Sequence, residues 1–155
     1  MPRPLQVVLA LLRIATGISI LGPGIHKIPW FAKPALEQQL ASWVSHAPSA
    51  IVVKYLHLLI PHADLLARVV VVGELALGTM LITGFLTPLA AALALLMVLN
   101  FHFASGAMIS LDYFTGQDGL VYLLIFPALI LGKAGLALGA DGALGKSMGG
   151  GGGRG

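Results

Sequence analysis

Long apolar runs dominate the hydropathy pattern of this chain. Four stretches carry few charges, namely residues 5–25, 66–85, 89–105 and 120–138. A helix rises about 1.5 Å per residue, so about 20 apolar residues cross a hydrocarbon core of ~30 Å. The pattern therefore predicts an all-α integral membrane protein built as a four-helix bundle.

A more polar insert, residues 31–61, separates the first two runs. Its apolar positions at i, i+4, i+7, i+8 and i+11 form one helical stripe of Leu36, Leu40, Trp43, Val44 and Ala47. The apolar segment 51–60 is too short to span a membrane. We expect two helices that lie on the membrane or cap the bundle. Residues 1–141 are predicted to form a single transmembrane domain, followed by a flexible glycine-rich tail over 142–155.

Composition agrees with this class of protein. Hydrophobic residues make up 57% of the 155 residues and charged residues 10%, whereas soluble domains carry about 25% charged residues. Cysteine is absent, which excludes disulfides and cysteine-ligated iron–sulfur or zinc sites within this chain. The net charge of +3 gives no indication of nucleic-acid binding.

Basic residues near both ends predict the orientation. Arg3 precedes the first run, and Lys133, Lys146 and Arg154 lie in or beyond the last part of the fourth. The positive-inside rule then places both termini in the cytoplasm and the protein in the cell (inner) membrane. The lysines of the insert and its flank oppose this orientation: Lys27, Lys33 and Lys54.

Glu74 lies near the middle of the second run. A carboxylate at that depth costs roughly 2.5–3.5 kcal/mol on insertion scales, so it is expected to face a partner or a water-filled cavity. If both runs start at the membrane surface, Arg13 of the antiparallel first run lies only ~6 Å away in depth. The sequence therefore predicts an Arg13–Glu74 ion pair, which either stabilises the bundle or serves a function.

The third and fourth runs add further polar candidates. Asn100 and His102 are two residues apart and point about 200° apart on a helix, so only one can face Glu74. We expect His102 to face the interior, where it titrates near neutrality or simply donates a hydrogen bond. Asp118 and Tyr122, one turn apart, are predicted to complete the rim of the cavity, although Asp118 also fits an ordinary helix cap.

The remaining histidines predict neither a metal nor a haem site. His46, His57 and His62 lie in the insert at spacings that match no strong metal signature. No two histidines fall on facing runs as bis-histidine haem ligation requires.

The order of these residues resembles the DoxX family of small four-helix membrane proteins, which is related to the DoxD subunit of thiosulfate:quinone oxidoreductase. The resemblance covers about residues 10–141. Its motifs are Arg13-x3-Gly17, Gly24-x2-Lys27, Gly73-Glu74-x3-Gly78, Gly84-x2-Thr87-x2-Ala90-Ala91, His102 and Asp118. The GPGxxSLD-like closing segment of the family is present only in a relaxed form, which ends at Asp141.

The resemblance implies a membrane subunit of a redox system, either a quinone-linked one that oxidises a sulfur compound such as thiosulfate or an oxidative-stress complex. On this hypothesis Arg13, Glu74 and His102 form the catalytic group, and Asn100, Asp118 and Tyr122 line the binding cavity. His26 and Lys27 at its mouth attract a small anionic sulfur compound or a partner. Whether the chain is itself an enzyme stays open.

Two alternatives of other classes remain. One is a non-enzymatic membrane scaffold, in which the insert docks a soluble protein. The other is a small proton-coupled transporter, which is disfavoured because no inverted repeat is visible. In each case the expected surroundings are the lipid bilayer and either a partner protein or a further copy of the chain.

Overall fold

The computed structural model describes residues 3–115, 117–132, 134–136 and 138–143, without the side chains of Arg3, Gln117 and Asp118. Throughout these residues the secondary structure is helical, with no strand. The predicted all-α class is therefore confirmed.

The first run forms helix α1, Arg3–His26. The helix continues through Pro23, which lies between Gly22 and Gly24. A short 3₁₀ helix, Ile28–Phe31, follows directly. Trp30 lies in this turn and packs against the core of the insert.

The insert contains two helices, α2 (Leu36–Ser45) and α3 (Ala50–Leu59). Ser49 caps α3, because its hydroxyl accepts a hydrogen bond from the Val52 amide at 3.4 Å. The predicted apolar stripe is partly buried and belongs to a separate small core formed by Leu36, Leu40, Val52, Leu56, Ala63, Ala67 and Ala104. The insert therefore packs on the helices that follow it.

Helix α4, Ala63–Thr83, and helix α5, Thr87–Ala104, form a helical hairpin. Gly84 ends α4 in the left-handed conformation with φ of 70°, which glycine adopts without steric cost. Three helical stretches are long and apolar enough to cross a membrane: Pro4–His26, Ala50–Thr83 and Thr87–Ala104. They cover the first predicted span, 5–25, and all but the last one or two residues of the second and third, 66–85 and 89–105.

The predicted fourth span, residues 120–138, is not confirmed. After the short helix α6 (Leu111–Thr115), helix α7 covers only Gln117–Leu131. Its 15 residues are about 22 Å long, which is less than the ~30 Å of a hydrocarbon core. The chain leaves the helix at Gly132 and turns back towards the α4–α5 hairpin, where the Asp141 amide donates to the Gly84 carbonyl at 2.9 Å.

Helices α1 and α4 pack against each other at very short range. An added methyl group at Gly17, Gly24 or Gly78 would lie within 3 Å of an atom of the facing helix. Small residues of this kind let membrane helices approach closely. This contact fixes the register of the two helices and so decides which polar groups meet.

Candidate functional site

Glu74 pairs with Lys27, not with Arg13. The Lys27 ammonium lies 2.5 Å from Oε1 of Glu74, and the Glu74 side chain is only 7% exposed. Gly24 lies one turn before Lys27 and faces the Cβ of Glu74. Because glycine has no side chain, α1 approaches α4 closely there, and the Lys27 ammonium reaches the carboxylate. The predicted Arg13–Glu74 ion pair is wrong.

The error lies in the assumed register of the helices. Arg13 is level with Gly84 at the end of α4, and Leu21 is level with Gly78. The N-terminal turns of α1 therefore extend beyond the C-terminal end of α4. The prediction assumes that the start of the first helix is level with the end of the second. Ten residues separate Gly84 from Glu74, which is about 15 Å along the helix axis.

Aromatic rings enclose the Lys27 ammonium. Its nitrogen lies 5.3 Å from the ring centroid of Phe101 and 5.6 Å from that of Trp30. Both separations fall within the range of cation–π attraction. Trp43 of α2 contacts the Phe101 ring edge-on with centroids 6.4 Å apart. The ion pair is therefore partly shielded from the surroundings.

One oxygen of the Glu74 carboxylate is left without a partner. Oε2 is buried and accepts no hydrogen bond from any residue that the structure describes. Buried polar atoms in proteins are nearly always hydrogen-bonded, to protein or to water. This oxygen can therefore accept a hydrogen bond from a water molecule or a ligand.

A cavity of about 120 Å³ lies between the insert and the α4–α5 hairpin. It is lined by Leu36, Leu40, Trp43, Tyr55, Leu59, Leu66, Val70, Asn100, Phe101 and Ala104. Phe101 lines this cavity and its ring also contacts the Lys27 ammonium, so the ion pair is next to the cavity without lining it. At its rim the Tyr55 hydroxyl donates a hydrogen bond to Oδ1 of Asn100, which joins α3 to α5. The predicted binding residue Asn100 therefore does line a cavity.

His102 belongs to a separate aromatic cluster. Its Nδ1 lies 2.7 Å from the Tyr113 hydroxyl, and its ring centroid lies 5.4 Å from that of Tyr122. Tyr113 is buried, and this burial, followed by the electrostatic influence of Tyr122, raises the pKa of Tyr113 above 10.0. Tyr113 therefore stays a neutral hydrogen-bond donor at physiological pH. Sequence reasoning missed this residue, which carries no motif.

Arg13 is fully buried at the opposite end of the α1–α4 contact. Its Nη2 donates to the Leu138 carbonyl at 3.1 Å, and its guanidinium lies between Gly84 and Gly139. It interacts electrostatically with Asp141. The structure thus separates Arg13 from Glu74, with which it was grouped in the sequence analysis.

The other predicted site residues have different positions. His26 is exposed at the last residue of α1, next to Lys27. The side chain of Asp118 lies outside the part of the chain that the structure describes. Within the described residues no group of three or more histidine, aspartate or glutamate side chains is arranged to hold a metal ion.

Comparison with known proteins agrees with this architecture. The DoxX family model matches residues 8–107, more than half of the chain. The match includes α1, the insert, α4 and α5, and with them Lys27, Glu74 and the cavity. Searches of the curated proteins and of the solved structures give no match. The chain is a multi-pass membrane protein and belongs to the DoxX family.

Proposed function

We propose that this protein is a membrane subunit of a redox system, and that it binds the head group of a quinone in the cavity between the insert and the α4–α5 hairpin. The observation that carries the proposal is Glu74, whose buried carboxylate is paired through one oxygen and has a free acceptor on the other. Buried ionisable groups in membrane helices commonly mark proton or substrate pathways.

The lining of the cavity suits a ring. Its volume of about 120 Å³ is smaller than the ~150 Å³ of an engineered cavity that binds benzene, so a quinone ring enters only when the insert moves outward. Trp43 and Phe101 offer apolar surfaces to a ring, and Tyr55 and Asn100 offer polar groups at the rim. The residues present therefore fit a quinone head group.

The chemistry of a quinone supports a proton role for Glu74. A bound quinone supplies electron transfer, and its reduction consumes protons. The Lys27 ammonium stays paired with Oε1 of Glu74, and the free Oε2 can accept a hydrogen bond from a water molecule or ligand that delivers a proton. His102 is a second group that can exchange a proton, and the neutral phenol of Tyr113 orients its ring through the hydrogen bond at Nδ1. Arg13 is too distant to take part directly.

The wider assignment follows the family. The redox system is either a quinone-linked one that, with a partner protein, oxidises a small anionic sulfur compound such as thiosulfate, or an oxidative-stress complex. His26, exposed beside Lys27, is the group that meets such an anion. Lys27 does not attract such an anion, because Glu74 neutralises its charge.

The membrane arrangement is part of the same proposal. Helix α7 packs on α5 and α1, which supports a fourth membrane-embedded helix even though it is short. Basic residues near both ends support a cytoplasmic location for both termini and an inner-membrane protein.

Quinone binding to the purified protein in lipid nanodiscs tests this proposal. We expect Asn100→Leu to weaken quinone binding by about tenfold, since it removes a polar group from the rim of the cavity that holds the ring. Gln38→Leu is the matched control, because Gln38 is an exposed amide on α2. Equal quinone affinity in the wild-type and Asn100→Leu proteins would contradict the proposal, whereas Glu74→Gln, outside the lining of the cavity, is expected to change the affinity less. Mass spectrometry of co-purified molecules identifies the quinone.

A further inference from the structure

The first amides of α5 are capped from a distant part of the chain. The Leu86 amide donates to Oδ1 of Asp141 at 2.7 Å, and the Thr87 amide donates to Oδ2 at 2.9 Å. Asp141 belongs to the C-terminal strap, defined here as residues 134–136 and 138–143. A helix N-terminus favours an anion because its amides are unpaired and its dipole is positive there. The Asp141 carboxylate fills that role.

More donors converge on this point than one carboxylate satisfies. Arg13 is fully buried, yet its Nε and Nη1 have no acceptor among the described residues. The Thr87 hydroxyl is also buried and without a partner in that part of the chain. Together with the Oε2 of Glu74, these are the buried side-chain polar atoms left without a partner there.

The contacts around three glycines show that these groups are neighbours. A methyl group at Gly135 would collide with both the Asp141 carboxylate and the Thr87 hydroxyl. A methyl group at Gly84 or Gly139 would collide with the Arg13 guanidinium. The Asp141 amide also donates to the Gly84 carbonyl. The Asp141 carboxylate and the Arg13 guanidinium therefore lie at the same turn between α4 and α5.

The strap is anchored at one end and bordered by open depressions beyond it. Ala134 is buried in the hydrophobic core. One depression of about 410 Å³ is lined by Leu86, Pro88, Gly135, Leu136 and Asp141. A second, of about 540 Å³, is lined by Thr83, Leu136, Leu138, Gly139, Ala140, Gly142 and Ala143. An opening of the strap therefore moves residues 138–143, while Ala134 stays in the core.

We propose that Arg13, Thr87 and the first amides of α5 form a binding site for a phosphate group, which the Asp141 carboxylate occupies while the strap is closed. Among the residues that the structure describes, the two oxygens of the Asp141 carboxylate accept hydrogen bonds from the Leu86 and Thr87 amides. A phosphate offers further oxygens, which can accept the Thr87 hydroxyl and the unpaired N–H groups of Arg13. The strap acts as a cover that must open before phosphate binds.

The position of the site allows two sources of phosphate. The site lies where α4 turns into α5, at the end of apolar helices long enough to span a membrane. The phosphate can therefore belong to an anionic lipid head group or be free in solution. Both present the same chemistry to Arg13.

Binding is measured with the full-length protein in detergent, from the shift in thermal unfolding and from amide hydrogen exchange of Leu86 and Thr87. One series uses inorganic phosphate, with chloride at equal ionic strength as the reference. The other uses short-chain phosphatidylglycerol, with short-chain phosphatidylcholine as the reference. Response to the first series alone identifies free phosphate, and response to the second alone identifies a lipid.

Asp141→Asn is the decisive variant, because it removes the competing charge but keeps the side-chain shape. We expect the responding probe to bind about tenfold more tightly than in the wild type, since an internal competitor is weakened. Asp64→Asn, an exposed acid in the first turn of α4, serves as the control and leaves the affinity unchanged. Equal affinity in Asp141→Asn and wild type contradicts the proposal.

Arg13→Gln in the Asp141→Asn background tests the other half of the site. We expect the gained affinity to disappear, whereas Arg68→Gln, at an exposed arginine of α4, retains it. If Asp141→Asn does not fold, the wild type still decides. Its Leu86 and Thr87 amides must change their exchange rate on addition of one of the two probes, and unchanged exchange with both overturns the proposal.

Discussion

Gly78 of α4 faces Leu21 of α1 with no room for a methyl group between them. A Cβ at Gly78 would lie 2.8 Å from both the Cβ and the backbone nitrogen of Leu21. Backbone atoms inside a helix cannot move aside, so the two helices would have to separate. The Lys27–Glu74 ion pair lies further along the same contact and depends on it.

We expect Gly78→Ala to lower the free energy of unfolding by about 1–3 kcal/mol, as overpacking of a close contact does. Gly22→Ala is the control, because nothing lies within 4 Å of a methyl group at that position. Its effect is expected to stay below about 1 kcal/mol. Denaturation in mixed micelles measures both, and equal losses would argue against a tight α1–α4 contact.

Removing the charge of Lys27 and removing the charge of Glu74 are expected to lower the free energy of unfolding by different amounts. Lys27→Met leaves the carboxylate of Glu74 buried and unpaired, which we expect to destabilise the protein by about 2 kcal/mol or more. Glu74→Gln is expected to cost less, because the Lys27 side chain is 23% exposed and can extend its ammonium towards water. Denaturation of the single and double variants measures the difference.

In the double variant Lys27→Met with Glu74→Gln, most of the stability is expected to return, since no buried charge remains. Lys54→Met is a suitable control, because Lys54 is exposed on α3. A Glu74→Gln loss as large as that of Lys27→Met would show that the ammonium is as confined as the carboxylate.

Tyr113→Phe removes the hydrogen bond to His102. We expect a loss of about 0.5–1.5 kcal/mol in the free energy of unfolding, which is typical of one buried hydrogen bond. Thermal unfolding of the two proteins at neutral pH measures it. An unchanged stability would mean that this hydrogen bond makes no net contribution to folding.

The same tyrosine is expected to make stability sensitive to alkali. Burial and the neighbouring Tyr122 raise the pKa of Tyr113 in the folded state, so the folded protein holds the phenol proton more tightly than the unfolded chain does. The contribution is complete below pH 10, the ordinary pKa, and is lost as the pH rises through the higher folded value. Stability of wild type should fall more steeply above pH 10 than that of Tyr113→Phe.

Tyr55→Phe is expected to loosen the insert selectively. The hydroxyl of Tyr55 links α3 to Asn100 of α5, and its loss should cost about 1 kcal/mol. Amide exchange should accelerate in α3 while α1 and α4 stay protected. Lys54→Ala on the same helix is the control, and uniform exchange across all helices would contradict a local role.

The helices themselves could be predicted from the sequence because membrane spans have a length requirement. Residues 5–25, 66–85 and 89–105 fall within or near α1, α4 and α5, whose apolar residues have no other way to avoid water. The two insert helices were also expected, from a stripe of apolar residues. The end of α7 could not be predicted, because the glycines within residues 132–139 are compatible both with a helix and with a turn.

The pairing of charges could not be predicted because it depends on register. Equal starting depths bring Arg13 near Glu74, whereas the glycine contacts of α1 and α4 bring Lys27 there instead. The local sequence pattern does not indicate the relative axial position of two packed helices. Lys27 was identified as a site residue, but as an anion attractor at the cavity mouth and not as the partner of Glu74.

The role of Asp141 as a helix cap could not be predicted from the sequence either. Helix caps are recognised from residues next to the helix, and the positions before α5 offer no capping side chain. The acceptor comes instead from 54 residues further along the chain. Only the three-dimensional fold brings the two together.

That separation has a consequence for biosynthesis. The ribosome completes α1, α4 and α5 before it adds Asp141, so α5 enters the bilayer with its first amides uncapped. Its final hydrogen bonds form only after α7 has been made and the chain has turned back. The last step of assembly is therefore expected to be closure of this one end, and a nascent chain arrested before residue 141 should contain all three long helices but an open α4–α5 turn.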